Sequence, residues 1–289
     1  MADNKYFLLG LGAAKSGTTT LASLLQQHPQ IQVSKIGKEV HFFDEKFERG
    51  QDWYLELFEN NSYINLDFTP SYLFDTKCRD KTFELFQKVN DVKFIVILRN
   101  PFDRAYSHYC HAVNHWWKSK YRHLGYPEET LSFYEALLAE DQRLKSGQYH
   151  IRHQSYYNKG LYDRQLEYYF EKFSKSRFFI IIFEEFLKNY KSVLASLYHW
   201  LGIDANFAHQ QELVKINSQT KGKIPREAIE FLWEKFEPSI KNLEILLEKD
   251  LSFWRIPYQG QASLQKIKSD INKTDIKVKR IQQQIKKIV

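Results

Sequence analysis

Four stretches of this chain read as strands: Lys5–Gly12 (KYFLLGLG), Ser62–Phe68 (SYINLDF), Val92–Arg99 (VKFIVILR) and Arg177–Glu185 (RFFIIIFEE). Several of them are apolar without alternation. A strand with one wet face alternates, whereas a strand covered on both faces does not. Helical patterns lie between them, at Thr18–Gln27, Trp53–Phe58, Lys77–Lys88, Ala105–Val113, Ser132–Lys145, Leu161–Phe173 and Leu187–Leu201, the last stopped by Gly202. Strands alternating with helices predict an α/β fold of three layers, with a central parallel sheet flanked by helices. In such sheets ligands bind at the carboxyl ends of the strands. Two of the apolar runs end at Gly12 and Arg99, and the chemistry is sought there first.

The first of these ends opens into GLGAAKSGTTTLASLL. A phosphate-binding P-loop has Lys directly after its second glycine. Here Gly12 and Gly17 have the right separation, but Thr18 follows Gly17 and the lysine has moved back to Lys15. Glycines let backbone N–H groups approach an anion closely. Thr18, Thr19 and Thr20 add hydroxyl donors at a helix N-terminus, where the dipole favours negative charge. The parts suit a phosphate or a sulfate ester. A damaged nucleoside-triphosphate loop and an ordinary strand-to-helix turn remain alternatives on this loop alone.

Composition bounds the rest. The chain has 289 residues, 43% of them hydrophobic and 16% aromatic, enough for a packed core. The two cysteines, Cys78 and Cys110, make no disulfide framework and suit a reducing compartment. No secretory leader or membrane-length apolar run is visible, so a cytoplasmic location without stable membrane insertion is expected. The net charge of +7 is misleading: eight basic and two acidic residues follow Leu264, which leaves the body near neutral. Nucleic acid is therefore not an expected partner. That basic tail carries Leu264, Ile267, Ile271, Thr274, Val278, Ile281, Ile285 and Ile288 at alternating spacings of three and four. The stripe fits a short coiled coil and a homo-oligomer, or a terminal helix packed on its own body or lying on an anionic membrane surface. The organisation expected is a body of residues 1–254, a linker of 255–263 and a basic amphipathic helix of 264–289.

The second strand end is more specific. VKFIVILRNPFDRAYSHY (Val92–Tyr109) is a buried strand ending in Arg99, a turn at Pro101 and a helix carrying Ser107. Arg offers a bidentate fork and Ser a hydroxyl donor, and both suit one phosphate. Combined with the Lys15 loop, this pairing resembles the sulfotransferases that use PAPS (3′-phosphoadenosine 5′-phosphosulfate). Further stretches resemble the heparan sulfate sulfotransferase branch of that family, here as a bacterial-type member. GKEVHFFD (Gly37–Asp44) is similar to its K-E-x-x-F-F segment and LDFTPSYL (Leu66–Leu73) to its T-P-x-Y segment. KGLYDRQLEYYFEKF (Lys159–Phe173) and FEEFLKNYKSVLASLYHWLGI (Phe183–Ile203) resemble its later helices. SQTKGKIP (Ser218–Pro225) resembles the basic loop that closes over the nucleotide. The resemblance runs over about residues 5–254 and implies that the body is a sulfotransferase domain.

The resemblance implies roles residue by residue. Lys15, Ser16, Gly17, Thr18, Thr19 and Thr20 hold the 5′-phosphosulfate, with Lys15 also steadying the leaving phosphate. Arg99 and Ser107 hold the 3′-phosphate, which Lys221, Gly222 and Lys223 cover. Tyr162, with Phe102, neighbours the adenine. Glu39 is the general base, and His41 tunes it, contacts the acceptor or is the base itself. If the segment is extended, Glu39 and His41 share one face. The acceptor is a saccharide or small molecule, met by Lys38, His41, Phe42, Asp67, Phe68 and Trp116. Phe68 is a departure, since the heparan branch has Lys before Thr-Pro, and it points to a smaller or less charged acceptor. His111 and His115 are four apart, but two histidines without a third ligand do not make a zinc site, and no metal is expected. The rival readings are a P-loop kinase or other nucleoside-triphosphate enzyme, with Thr18 or Thr19 and Asp67 on its magnesium, and a non-catalytic scaffold that keeps the sulfotransferase fold.

Overall fold

The structure, a computed structural model, describes residues 6–58, 64–87, 92–113, 128–147, 153–213 and 222–259. Its sheet has five strands: β1 (Tyr6–Gly12), β2 (Ile31–Val33), β3 (Ile64–Phe68), β4 (Val92–Leu98) and β5 (Phe178–Ile182). All pairings are parallel and the order is β2-β3-β1-β4-β5. The described helices of the outer layers are α1 (Thr18–Gln26), α2 (Gly50–Glu56), α3 (Thr76–Phe86), α4 (Pro101–Val113), α5 (Phe133–Leu144), α6 (Tyr162–Phe170), α7 (Phe183–Leu201) and α8 (Arg226–Leu247). The parallel α/β fold expected from the sequence is the fold observed.

The missing alternation has a direct cause. Phe7, Leu9 and Leu11 of β1, with Phe94, Val96 and Leu98 of β4, enter one core, closed by α3, α4, α5, α6 and α8. Leu8 of β1, with Ile95 and Ile97 of β4, enters a second core, closed by α1 and α7. Each such side chain, fully buried, contributes about 1.5–3 kcal/mol relative to exposure, so both faces of the central strands select apolar residues.

Some boundaries differ from the sequence reading. β2 has three residues, too few to show a period. β5 stops at Ile182, and Glu184 and Glu185 lie in the first turn of α7, where acidic groups suit the helix dipole. Within α7, Asn189 leaves helical geometry (φ −139°, ψ 44°) and kinks the helix. The chain stays docked through the opening of the expected linker: residues 256–259 are helical. Tyr258 stacks on Phe102 at 4.3 Å, and its hydroxyl donates to Asp103 Oδ1 at 2.6 Å. Residues 260–289, with the heptad stripe, lie outside the described residues. Both cysteines are free thiols, and no described helix is long and apolar enough to cross a membrane.

Candidate active site

The β1–α1 loop turns sharply. Lys15 (φ 71°) and Gly17 (φ 88°) are both left-handed. A Cβ on Gly17 would come within 2.6 Å of the Phe183 ring, so both the backbone angle and the space require glycine. The loop is tied to the sheet by the Ala13 N–H, which donates to the Ile97 carbonyl at 2.8 Å. Gly17 caps α1 without a side chain, leaving the first-turn N–H groups facing outward from the helix start. The Ser16 side chain is buried beside Tyr162.

The end of β4 is braced from several sides. The Asn100 side chain accepts from the Phe102 N–H (3.1 Å) and donates to the Trp254 carbonyl (3.0 Å). Glu184 accepts from the Asn100 N–H (2.9 Å) and the Trp254 indole (3.0 Å). The Tyr162 hydroxyl donates to the Arg99 carbonyl at 2.9 Å. Arg99 itself reaches back to the first loop, donating to the Lys15 carbonyl at 3.2 Å. Arg104, fully buried on α4, donates to the carbonyls of Ala14 (3.5 Å) and Tyr156. Ser107 follows on the same helix, also buried. Carbonyl partners do not cancel the charge of the guanidinium groups. Burial lowers the Lys15 pKa, and the charges of Arg99 and Arg104 lower it further. Burial likewise lowers that of Arg104. Mutual repulsion among cations beside an open helix N-terminus is what a bound anion relieves. A nucleotide with several phosphate groups fits these residues.

The third component is the segment from Lys38 to Asp44. The Lys38 ammonium bridges Glu39 Oε1 (2.7 Å) and Thr19 Oγ1 (3.3 Å), which sets the segment beside the start of α1. Glu39 Oε2 lies 3.4 Å from His41 Nε2, and His41 Nδ1 lies 3.0 Å from Asp44 Oδ2. The segment is not extended, as His41 is left-handed (φ 57°, ψ 35°), yet Glu39 and His41 still meet. Burial alone would lower the His41 pKa, but the carboxylates of Asp44 and Glu39 outweigh it and push it up to about 9. For Glu39 burial would raise the pKa, but His41 and Lys38 hold it at about 2. At neutral pH His41 is therefore an imidazolium and Glu39 a carboxylate. His41, Asp44 and Glu45 also bring donor atoms within 4.8 Å of one another. His41 Nδ1 lies 3.7 Å from Glu45 Oε1, so the third group joins the same ion-paired cluster.

NMR titration of the His41 ring should show a midpoint near 9, against about 6.5 for an unfolded histidine. The folded value is the higher one, so the ion pairs stabilise the fold fully below pH 6.5 and lose that effect as pH rises through 9. Melting temperature should fall across that window, and a midpoint below 7 would remove the ion-pair assignment.

The other expected site residues divide clearly. Lys38, Glu39 and His41 are partly exposed, with side-chain values of 21%, 39% and 25%. Gly222 lies against α4, where an added Cβ would stand 3.2 Å from the Tyr106 hydroxyl, and Lys223 beside it is exposed. Lys221, Trp116 and His115 lie outside the described residues. Three acceptor residues are corrected. Phe42 is core, stacked on Tyr54 at 4.4 Å. Phe68 is core because it packs across Gly10, where a Cβ would come within 2.0 Å of its ring. Asp67 is fully buried and bonded on every side. The argument from Phe68 to a less charged acceptor also loses its basis, because the Lys38 ammonium sits 5.8 Å from the Phe68 ring. The Tyr162 ring is buried and props up Arg99 instead of offering a face to a base. Asn100, Arg104, Glu184 and Asp44 are site-building residues that the sequence reading missed.

The fold is α/β, and its strand ends bring Lys15, Arg99 and Arg104 together beside the start of α1, where Lys38 links the Glu39–His41 pair. A family model described as the sulfotransferase domain matches residues 5–226, and the chain belongs to that family. It is 28% identical over 204 residues to the bifunctional heparan sulfate N-deacetylase/N-sulfotransferase 1 of Caenorhabditis briggsae, covering 68% of this chain and 22% of that protein. It is 35% identical over 106 residues to the human heparan sulfate glucosamine 3-O-sulfotransferase 6, covering 36% of this chain and 30% of that one. The chain thus spans under a third of the length of these curated relatives. The crystal structure of a sulfotransferase from Alicyclobacillus acidocaldarius superposes with a TM-score of 0.68 at 29% identity, over 87% of this chain and 98% of that one.

Proposed function

We propose that the chain moves a sulfuryl group from PAPS to a hydroxyl or amine of a carbohydrate or small-molecule acceptor, releasing PAP (the 3′,5′-bisphosphate). The observation that carries this reading is the meeting of the Lys15 loop with Arg99 and Arg104, with Glu39 linked to the same helix start through Lys38 and Thr19. Bound PAPS supplies the sulfuryl group on a phosphate leaving group. Ser16, Gly17 and Thr18 to Thr20 would hold the 5′ end, and Arg99 and Ser107 the 3′-phosphate, with Lys223 at the edge. Glu39 takes the acceptor proton as the new bond to sulfur forms. Lys15 stabilises the charge left on the departing phosphate oxygen. His41 is already protonated, so Glu39 is the better proton acceptor of the two. The names of the relatives include both N- and 3-O-transfer, and the acceptor class is kept correspondingly broad.

A kinase reading needs a free strand-end acid for Mg²⁺, and Asp67 has no free face. Calorimetric titration tests the donor site. PAP should bind at least about tenfold more tightly than 5′-AMP or ADP, since the 3′-phosphate adds charge-assisted bonds to Arg99 and Ser107. Equal affinities would remove the 3′-phosphate site. A scaffold without catalysis would bind PAP and fail to release it from PAPS with any acceptor.

A further inference from the structure

The three consecutive backbone N–H groups of Val40, His41 and Phe42 are each held by a side chain from the end of β3 or the turn after it. The Val40 N–H donates to Asp67 Oδ1 (3.3 Å), the His41 N–H to Thr69 Oγ1 (3.3 Å) and the Phe42 N–H to the Tyr72 hydroxyl (2.7 Å). The three receiving groups are themselves joined at one point. Thr69 donates to Asp67 Oδ1 at 2.6 Å and Tyr72 to Asp67 Oδ2 at 2.9 Å, while Tyr54 adds a third hydroxyl at 3.3 Å. The Lys38 carbonyl accepts from the Phe68 N–H at 2.9 Å, which fixes the segment's other end.

We infer that Asp67, Thr69 and Tyr72 form a buried hub that positions Glu39 and His41 for the transfer proposed above, acting through the backbone of residues 40–42. The inference rests on that reading for what the aligned pair does, but not for the alignment. The hub has a clear physical task. His41 is a non-glycine residue in left-handed backbone, a conformation that persists only when its surroundings over-determine it. Capturing three successive N–H groups does this, and it fixes the ring between Glu39 and Asp44. Asp67 has no solvent to ionise into, so its donors are what keep it an acceptor. Burial raises its carboxyl pKa, against the bonds from Thr69, Tyr72 and the Val40 N–H, to about 6. Burial also raises the Tyr54 and Tyr72 phenols well above 10, so both remain donors. Among the described residues, the titratable groups facing this hub are Tyr54, Cys78, Asp44 and His41.

The test uses the charge-neutral variants Thr69→Val and Tyr72→Phe, with Thr69→Ser as the conservative control, in the full chain. The His41 ring midpoint is read by NMR, PAP affinity by calorimetry and stability by melting. The two variants should lower the His41 midpoint by about one pH unit or more, since the imidazolium leaves its carboxylates. PAP affinity should stay within about twofold, and Thr69→Ser should restore the wild-type midpoint. Unchanged midpoints in Thr69→Val and Tyr72→Phe would overturn the inference. So would loss of PAP binding in step with melting temperature, which would make the hub a general folding determinant. If wild-type protein failed to bind PAP, the functional reading would fall, while the His41 midpoints would still decide whether the hub sets the alignment.

Discussion

Glu39→Gln should lower sulfuryl transfer by about 10²–10⁴-fold, the range lost with a general base, without weakening PAP binding. The substitution keeps shape and removes only the charge that accepts the proton. Its secondary effects are also readable. The Lys38 ammonium, now 2.7 Å from Glu39, loses its carboxylate and keeps Thr19, and the His41 midpoint moves down from about 9. A carboxylate held at about 2 is a weak base, which looks unfavourable for catalysis. The geometry resolves this. Lys38 is shared between Glu39 and Thr19, at 2.7 and 3.3 Å, and Thr19 belongs to the helix start proposed for the phosphosulfate. An anion there competes for the ammonium and relaxes its grip on Glu39, so the base strengthens when donor is bound. The acid limb of kcat, which reports the bound enzyme, should therefore lie at higher pH than that of kcat/KM. PAP release from PAPS with a panel of saccharide and small amine or hydroxyl acceptors gives the rates. An unreduced rate in Glu39→Gln would move the base elsewhere.

The sequence was most legible where chemistry sits at the end of a regular element. β1 and β4 announce themselves by apolar runs, so Lys15 and Arg99 follow as strand-end groups, and the structure joins them by a hydrogen bond. It was least legible where function is carried by depth. Asp67, Phe68 and Phe42 look from the sequence like neighbours of Glu39, and in space they are, but they lie beneath the segment instead of facing a ligand. One signal was readable: Gly10 in the interior of β1 marks a place where a neighbouring large side chain crosses the backbone, and Phe68 is its direct register partner. The braces on Asn100 come from Glu184 and Trp254, 84 and 154 residues away, and no local pattern encodes such partners. The left-handed His41 was equally hidden, because the residue type does not demand it and the side chains that hold its backbone come from the end of β3 and the turn after it.

Arg99→Ala should weaken PAP binding by about a hundredfold and leave 5′-AMP within about threefold of wild type, since each bond to a charged group contributes about 1.5–3 kcal/mol. The contrast between the two nucleotides matters more than the size of either effect. Arg99 also donates to the Lys15 carbonyl, so its removal could act by loosening the first loop. That loop is proposed to grip the 5′ end, which PAP and 5′-AMP have in common. A loop effect would therefore weaken both nucleotides alike, whereas loss of a 3′-phosphate contact weakens only PAP. The Asn100, Glu184 and Tyr162 bonds hold the Arg99 backbone independently of its side chain, so the strand end should survive the substitution. Arg99→Lys sharpens the distinction, because it restores the charge without the bidentate fork and should recover only part of the PAP affinity. Ser107→Ala should then remove a further, smaller share of the same preference, about tenfold, again without touching 5′-AMP. Two residues from one strand end and one helix, each selective for the 3′-phosphate, would separate a phosphosulfate donor site from every nucleotide loop that reads only the 5′ side.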